Sequence, residues 1–458
     1  MSEQNIPLGL GAEKISKLLR QYAIPAIIAM TAASLYNMVD SIYIGHGVGA
    51  LAISGLAVTF PLMNISVAFG TLVGIGGSTL ISIRLGRKDY VSAQKVFGNV
   101  IIFNILIGFL FMIGSLFFLD AILYYFGASE QTISYAREYM LIILLGNIIT
   151  HLYFGLNNVL RASGHPRQAM ALTITTVVLN TLLDPLFIFV FQWGIQGAAI
   201  ATVLSQFIAL VWQMQIFNNK NSLLHLHKGL FQIDFRLVKE MFAIGLSPFL
   251  MNVASCFIVI LINKGMKTYS GDLAIGAFGI VNRFSFMFIM IVMGLNQGMQ
   301  PIAGYNYGAG NMTRVLAVLR LTIIFATIVT TTSFLVGELF PEQVARIFTS
   351  DAELIGLTVY GLRIAVMLFP LIGAQIVISS FFQSIGLAGK AILLSSIRQI
   401  IVLIPCLIIL PRFFGLTGVW ASMPVSDFAA CIVSTILILG QIKKLNYSFT
   451  VTKKAINK

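Results

Sequence analysis

Two aspartates stand inside long apolar runs of the N-terminal half of this chain, where an ionisable side chain is costly and is therefore a functional candidate. Counted from the nearer end of each run at ~1.5 Å per residue, Asp40, Asp184 and Thr202 fall in one band roughly 6–11 Å below the same membrane boundary. Asn180 lies one helical turn from Asp184, and Tyr36 one turn from Asp40. These five side chains are predicted to form one polar site.

The chemistry of such a site follows from its two carboxyl groups. Two carboxylates in a low-dielectric interior should not both be ionised without a counter-ion, so the pair is predicted to bind a proton or a small cation, H⁺ or Na⁺. The oxygens of Asn180, Thr202 and Tyr36 would complete it. An alternative has Asp40 reaching the membrane interface and Asp184 capping a helix broken before Pro185.

The C-terminal half carries a different set of charges. Asp427, Arg363 and Arg283 each lie about ten residues below the outer boundary of a run, at ~1.5 Å per residue. An acid at the depth of two arginines predicts a charge-paired network, either a structural or gating strut or a substrate contact. Arg398 counts as deeper toward the cytoplasm and has no evident partner in the sequence.

Two further features could serve transport. Met287, Met290 and Met293 recur at spacing three and suit either an adaptable apolar substrate cavity or ordinary packing. Pro25 precedes Asp40 by fifteen residues, so it predicts a helix bend that either changes during function or is static.

Enzyme and metal chemistry are not predicted. His225 and His227 could ligate a metal, but two histidines in a basic connection are typical of polar surface, since metal sites use three or four ligands. The three cysteines lie in apolar runs without metal or disulfide spacing. The sequence contains no metal-ligand cluster, nucleophile elbow or phosphate loop, so we expect a protein without catalytic residues or a cofactor.

The elements that hold these residues are membrane spans. The 458 residues are 58% hydrophobic and 10% charged, with a mean hydropathy of +0.92, whereas soluble domains average about 25% charged residues. The runs are too long and too regular for barrel strands. We predict an all-α polytopic protein with twelve spans, at 18–44, 53–82, 96–119, 138–160, 168–191, 197–217, 241–263, 273–300, 316–337, 354–382, 390–410 and 417–440.

Basic residues set the predicted orientation. With the N-terminus in the cytoplasm, the inside segments hold 21 Lys and Arg and the outside loops hold 5. This positive-inside distribution predicts a multi-pass protein of the cytoplasmic membrane with both termini in the cytoplasm. It also accounts for the net charge of +13 without a nucleic-acid partner, and we expect the lipid bilayer as solvent and a monomer.

An internal duplication divides the chain. LAISGLAV at 51–58 aligns with LAIGAFGI at 273–280 at an offset of 222, and Gly194–Gly197 aligns with Gly415–Gly418 at 221. Six spans per copy predict parallel repeats. The predicted boundaries are 1–218 for the N-terminal lobe, 219–240 for a cytoplasmic linker and 241–458 for the C-terminal lobe.

Three segments resemble the multidrug and toxic compound extrusion (MATE) family, in its DinF-like and MepA-type branch. They are LYNMVDSIYIG at 35–45, RASGHP at 161–166 and GMQPIAGYNYGAG at 298–310. The resemblance implies export of cationic or amphipathic drugs in exchange for inward cation flow. It implies coupling roles for Asp40, Asn180, Asp184 and Thr202. It places Asn157 and Asn37 at the substrate cavity.

The sequence also departs from part of the family pattern and leaves one alternative function open. The segment from Leu246 to Phe257 has no acid where the NorM-like branch carries one, which argues against a C-lobe sodium site. A lipid-linked precursor flippase of similar two-lobe plan is the alternative function. A flippase for an anionic headgroup needs several unpaired basic residues in its cleft, and the N-terminal lobe offers only acids.

Overall fold

The computed structural model describes residues 8–220, 222–227 and 229–456, and these residues form helices and no strand. Three short helices lie at Leu8–Ala12, Leu119–Tyr125 and Pro341–Phe348. The long helices are α1 (Ile15–Gly47), α2 (Ala50–Gly86), α3 (Tyr90–Phe117), α4 (Ile133–Leu145 with Asn147–Ala162), α5 (Pro166–Pro185 with the π-helical Leu186–Val190), α6 (Gly194–Phe217), α7 (Phe235–Gly271), α8 (Leu273–Gly308), α9 (Met312–Leu339), α10 (Ala352–Val366 with Phe369–Ser384), α11 (388–414) and α12 (416–456).

The described helices agree with twelve membrane spans. Nine are long and apolar enough to cross a bilayer, or eleven if the two halves of α4 and of α10 each count as one span. The longest, Ala388–Lys444, has 57 residues and is broken at Gly415, where φ is 53°. Since about 20 residues cross a bilayer, this segment holds two spans, α11 and α12. The chain is therefore an all-α, multi-pass membrane protein, as predicted.

Two helices are sharply bent at matching places. The halves of α4 meet at Gly146 with an angle of 56°, and those of α10 meet near Leu368 with an angle of 52°. These positions are related by the repeat offset of 222. Pro370, in the first turn of the second half of α10, favours a new helix start there because proline has no N–H to donate. The bend belongs to the repeated unit.

The helices pack into two compact units that do not coincide with the predicted lobes. Among the described residues, one comprises 8–12 and 28–252, and the other 13–27 and 253–456. Helix α1 therefore changes unit after Ile27 and α7 after Asn252. Pro25 and Pro248 lie within about one turn of these changeovers. Helix α1 runs through Pro25 without a break in its helical assignment, so the bend expected at this residue stays a prediction.

Small residues allow close helix crossings within each unit. In the first unit a Cβ on Gly76 would collide with the backbone of Met241, and one on Gly245 with the backbone of Leu72. In the second unit a Cβ on Gly298 would meet the backbone of Ala23 in the same way. At the offset of 222, Gly76 corresponds to Gly298 and Gly245 to Ala23. The α2–α7 crossing and the α8–α1 crossing are thus repeat equivalents.

The connection between α6 and α7 is held on α3. Gln94 of α3 donates to the carbonyl of His225 and lies 3.2 Å from Nδ1 of His227, and Lys95 pairs with Asp234 at 4.0 Å. The described residues contain no group of three or more His, Cys, Asp and Glu side chains that could hold a metal ion. The role of His225 and His227 as polar surface residues stays a prediction.

Candidate cation-coupling site

The two aspartates predicted from the sequence lie together in the interior of the first unit. Asp184 is fully buried and Asp40 is 5% exposed. Their carboxyl groups are within hydrogen-bonding reach of each other. Two carboxylate oxygens repel at that separation unless a proton or a cation lies between them. Oδ1 of Asp40 is buried and has no hydrogen-bond donor among the described residues, so it is free to take that proton or cation.

Neutral groups on α5 and α6 orient the pair. In the amide orientation that satisfies both groups, Nδ2 of Asn180 donates to Oδ2 of Asp184 at 3.0 Å, and Oδ1 of Asn180 accepts from Oγ1 of Thr202 at 3.2 Å. Asn180 and Thr202 are 1% and 7% exposed. One turn of α5 places Asn180 below Asp184, so the helix period alone brings these two side chains together.

The alternatives for the two aspartates do not fit this geometry. Helix α1 continues to Gly47, seven residues beyond Asp40, and the side chain is buried rather than extended to an interface. Helix α5 continues past Pro185 as a π-helical turn, which has no side-chain cap. Asp184 therefore faces Asn180 and Asp40 instead of capping a helix. A π-helical segment next to a polar cluster is frequent at functional sites.

Two tyrosines border the pair. Tyr36 and Tyr139 both bring their hydroxyls to Thr202, with the two carboxyls close by. Tyr139 is 2% exposed and comes from the first half of α4. The sequence did not reveal Tyr139, because span 4 was predicted to begin at residue 138. The helix begins at Ile133, so Tyr139 lies almost two turns inside it and its burial could have been predicted from an earlier start.

The residues predicted to line a substrate cavity do not lie together in one cluster. Nδ2 of Asn157 donates to the Ala169 carbonyl at 3.0 Å and lies 3.4 Å from Oγ1 of Thr173, so this buried amide joins α4 to α5. The side chain of Asn37 lies outside the described residues. Along α8, Met287 is 56% exposed, and Met290 and Met293 are half-buried. Their contact with substrate remains a prediction.

The predicted C-terminal charge network has a different partner. Nε of Arg398 donates to Oδ1 of Asp427 at 2.7 Å, with side chains 21% and 8% exposed. Arg363 and Arg283 have exposed side chains, and neither forms an ion pair with Asp427 in the part of the chain that the structure describes. The sequence analysis set Arg398 apart because it counted this residue from the inner end of its run; counted from the outer end of the predicted span, Arg398 lies twelve residues down, close to the ten of Asp427.

Comparisons with known proteins agree with this architecture. A family model described as MatE matches residues 25–186 and 243–408. Multidrug export proteins MepA of Staphylococcus haemolyticus and Staphylococcus aureus are 28% identical over 424 residues and 27% over 425, with 93% of each chain covered.

Solved structures give the same result. A structure of the MATE multidrug transporter DinF-BH is 38% identical, with a TM-score of 0.88 over 94% of this chain and 96% of that one. A structure of MATE in the bent conformation is 24% identical, has a TM-score of 0.91 and covers 98% of this chain and 99% of that one, which supports the fold.

Proposed function

Because the chain belongs to the MATE family of membrane transporters, we propose that it is a multidrug exporter driven by the inward flow of a cation. Its cargo would be cationic or amphipathic drugs, and the coupling ion would be H⁺, Na⁺ or both. Drug export is what the names of the MepA relatives and of the DinF-BH structure describe for those proteins.

One observation carries the proposal: the pair of Asp40 and Asp184 is buried without a basic partner. No Lys or Arg within the described ranges forms an ion pair with either carboxyl. A buried acid pair without a counter-ion is stable when it holds a proton or a cation and is strained when it holds neither. The site therefore has two occupancy states of very different energy, which ion-driven transport requires.

The occupancy would be coupled to drug export through shape. The site joins α1, α4, α5 and α6, so gain or loss of the cation changes the attraction among four helices of one unit. In alternating access, a ligand shifts the equilibrium between two conformations only by the difference in its affinity for them. A cation bound between carboxyls that separate in one conformation provides such a difference.

Drug efflux from proteoliposomes tests the proposal. Ethidium or a fluoroquinolone is loaded, and either a pH or a sodium gradient is imposed, with the other ion held equal on both sides. We expect export under at least one gradient and none without a gradient. Export at the same rate with no ion gradient contradicts antiport. Efflux as a function of pH with sodium omitted then identifies the coupling ion.

Substitutions locate the coupling in the chain. Asp184→Asn and Asp40→Asn should insert and fold but lose gradient-driven efflux. Asp120→Asn is the matched control, because Asp120 is an exposed acid that pairs with Arg137 at 3.2 Å on the surface. If both buried variants transport as fast as the control, the carboxyl pair is not the coupling site.

The flippase alternative has its own observation. Arg283 and Arg363 have exposed side chains and form no ion pair among the described residues, so both are available to an anionic headgroup. A flippase would translocate a lipid-linked anionic precursor in vesicles and would be slowed by Arg283→Gln or Arg363→Gln. An exporter of cationic drugs should keep ethidium efflux in these variants.

A further inference from the structure

A second buried ionisable group lies in the first unit, away from the carboxyl pair. His151 of α4 is 1% exposed and packs between α2 and α3. Its Nε2 lies 3.1 Å from Oγ of Ser66, and the Ser66 hydroxyl donates to Oδ1 of Asn147 at 2.6 Å. Nδ2 of Asn147 donates in turn to the Gly108 carbonyl at 3.1 Å.

These contacts determine which ring nitrogen carries the proton. The Ser66 hydroxyl has one proton and donates it to Asn147, so its oxygen accepts from Nε2–H of a neutral His151. Nδ1 is then an acceptor. No donor reaches Nδ1 within the described ranges, although the atom is buried. A buried acceptor without a donor is costly, and protonation at Nδ1 changes it into a donor.

An acceptor for that new N–H lies on the neighbouring helix. A methyl group on Gly108 of α3 would be 3.5 Å from Nδ1 of His151. Asn104 lies one turn from Gly108 on α3, and it packs on Gly155, which lies one turn from His151 on α4. Oδ1 of Asn104 is also buried and has no donor among the residues described. Two unused acceptors therefore face the α3–α4 interface about one turn (~5.4 Å) apart. This separation is longer than a hydrogen bond, and Nδ2 of Asn104 donates to the Val100 carbonyl at 2.8 Å, so the amide must give up that bond and turn toward Nδ1 before Oδ1 can accept from it.

No carboxylate among the described residues neutralises this proton, so burial of the ring opposes its uptake. Residues 50–83 of α2, 96–117 of α3 and 194–217 of α6 contain no Asp, Glu, Lys, Arg or His. Between residues 139 and 160 of α4, the other titratable side chains are Tyr139 and Tyr153, which are neutral near pH 7. Protonated His151 therefore depends on Ser66, Asn147 and Asn104 to offset the cost of a buried charge without a counter-ion.

The fold itself does not require a histidine here. In the C-terminal repeat, at the offset of 222, the place of His151 is taken by Gly373, that of Gly108 by Thr330 and that of Asn104 by Ala326. A Cβ on Gly373 would meet Thr330 and Ala326, so the same two helices meet in the same register. The Thr330 hydroxyl is satisfied by the Ala326 carbonyl at 3.0 Å. The equivalent bend is thus built without any ionisable group.

The turn that carries His151 is also connected to the carboxyl site. Oγ1 of Thr150 donates to Oε1 of Gln206, and Gln206 lies one turn from Thr202 on α6. His151 is eleven residues from the end of α4 at Ala162, or about 16 Å at 1.5 Å per residue. It therefore lies between the carboxyl pair and the side of the membrane predicted to be cytoplasmic.

We propose that His151 is a second proton-binding group of the N-terminal repeat, in which Nδ1 takes the proton and Oδ1 of Asn104 accepts the resulting N–H. Nε2–H continues to donate to Ser66, so the imidazolium has an acceptor on each side, and its proton leaves again from Nδ1. This inference rests on the proposed function for its role in transport, where His151 holds a proton that has passed the carboxyl pair.

Histidine NMR tests protonation without any transport. The chain has five histidines, and labelling their Cε1 atoms gives five signals that report ring protonation. We expect one signal to be lost in His151→Gln and to titrate reversibly in the parent protein. If His151→Gln does not fold, Ser66→Ala assigns the same signal by its shift. A His151 signal that does not change across the pH range in which the protein stays folded overturns the proposal.

A matched pair of asparagines tests the acceptor. Asn104→Leu should move the His151 titration to lower pH, because the protonated ring loses its acceptor. Asn99→Leu is the control, since Asn99 is an equally buried asparagine on α3 with neither side-chain polar atom partnered in the described structure. Equal titration in the two variants contradicts the assigned acceptor.

Efflux separates this inference from the proposed function. We expect His151→Gln to retain gradient-driven efflux at high pH and to lose one inflection of the parent pH profile, whereas Asp184→Asn loses driven efflux throughout. If the parent shows no gradient-driven efflux, the proposed function fails. If the parent is driven and His151→Gln has the same pH profile, the role of His151 in transport fails.

Discussion

The two repeats of this chain treat buried charge in opposite ways. In the N-terminal repeat Asp40 and Asp184 face each other without a basic side chain, whereas in the C-terminal repeat Asp427 is neutralised by Arg398 at 2.7 Å. At the repeat offset, Asp40 and Asp184 correspond to Ile262 and Cys406. One bundle plan thus holds either an unneutralised acid pair or an ion pair. Under the proposed function, the difference predicts ion coupling in the first repeat and a structural charge pair in the second.

Breaking the ion pair of the C-terminal repeat should have the largest effect on stability. Arg398→Met leaves Asp427 buried without its partner and should lower the free energy of unfolding by about 3 kcal/mol, toward the lower end of the usual range because Arg398 is 21% exposed. Thermal unfolding of the purified protein measures this loss. The double variant Arg398→Met/Asp427→Leu should recover most of it.

The same variants also show whether the two repeats differ in function. Asp184→Asn should leave thermal stability close to that of the parent while it eliminates driven efflux. If Arg398→Met/Asp427→Leu folds well but loses coupling as completely as Asp184→Asn, the charges of the second repeat also take part in ion transport.

The next largest difference in stability is expected between the two equivalent helix crossings. Gly245→Ala places a methyl group on the backbone of Leu72 and should destabilise by roughly 1–3 kcal/mol. Its repeat equivalent is already an alanine, Ala23, so Ala23→Gly should cost no more than about 1 kcal/mol. Thermal unfolding compares the two variants. Gly114→Ala on α3 is the control, because a methyl group there meets nothing within 4 Å. Equal losses at all three positions contradict a tight α2–α7 crossing.

A smaller effect is expected at the border of the carboxyl site. Tyr139→Phe removes a hydroxyl next to Thr202 and should weaken apparent affinity for the coupling ion by up to about tenfold, the value of one hydrogen bond. Tyr135→Phe, one turn earlier on α4, should leave it unchanged. Efflux rate against ion concentration gives both constants. A normal constant in Tyr139→Phe removes this tyrosine from the site.

The smallest effect concerns the first turn of α3. Asp89 caps this helix by accepting from the Ser92 N–H at 3.1 Å, whereas Asn311, its repeat equivalent before α9, makes no such bond. Asp89→Ala should cost about 1 kcal/mol and Asn311→Ala less, measured by thermal unfolding. Equal losses in the two variants contradict a specific role for the cap.

The cap should also depend on pH. Partial burial raises the pKa of Asp89, but the bonds from Ser92 and the charge of Arg84 outweigh that effect, and the net shift of the pKa is downward. A folded-state pKa below the unfolded value gives stability that is present above the unfolded pKa and is lost as pH falls through the folded pKa. The difference between Asp89→Ala and the parent should therefore shrink only in acid, below about pH 4.

The sequence predicted the carboxyl site because the features that define this site can be read within single spans. Residue type identifies Asp40 and Asp184 as costly in an apolar run, helix period places Asn180 beside Asp184, and distance from the run ends gives all of them one depth. Rotation about the helix axis is not contained in a depth count. The sequence therefore paired Asp427 with Arg363 and Arg283, whereas in the structure Arg398 is the arginine that pairs with it.

The polar contacts of His151 could not be predicted from the sequence either. A single histidine in an apolar run has no special spacing, and its significance comes from contacts with α2 and α3 that are distant in sequence. Comparison with the second repeat gives the one available signal, since Gly373 stands at the equivalent position. The twelve spans were predictable from hydropathy, whereas the bends within α4 and α10 and the division of α1 and α7 between units depend on packing.

Helices α1 and α7 each begin in one packing unit and end in the other, with Pro25 and Pro248 beside the changeover. Any change of angle between the units would require these two helices to bend. A proline makes a helix easier to bend because it removes one backbone hydrogen bond. Asp40 lies on α1, fifteen residues beyond its proline. Under the proposed function, a change in occupancy of the carboxyl pair would act on the part of α1 beyond Pro25, whereas α7 has Ile262 at the position that matches Asp40.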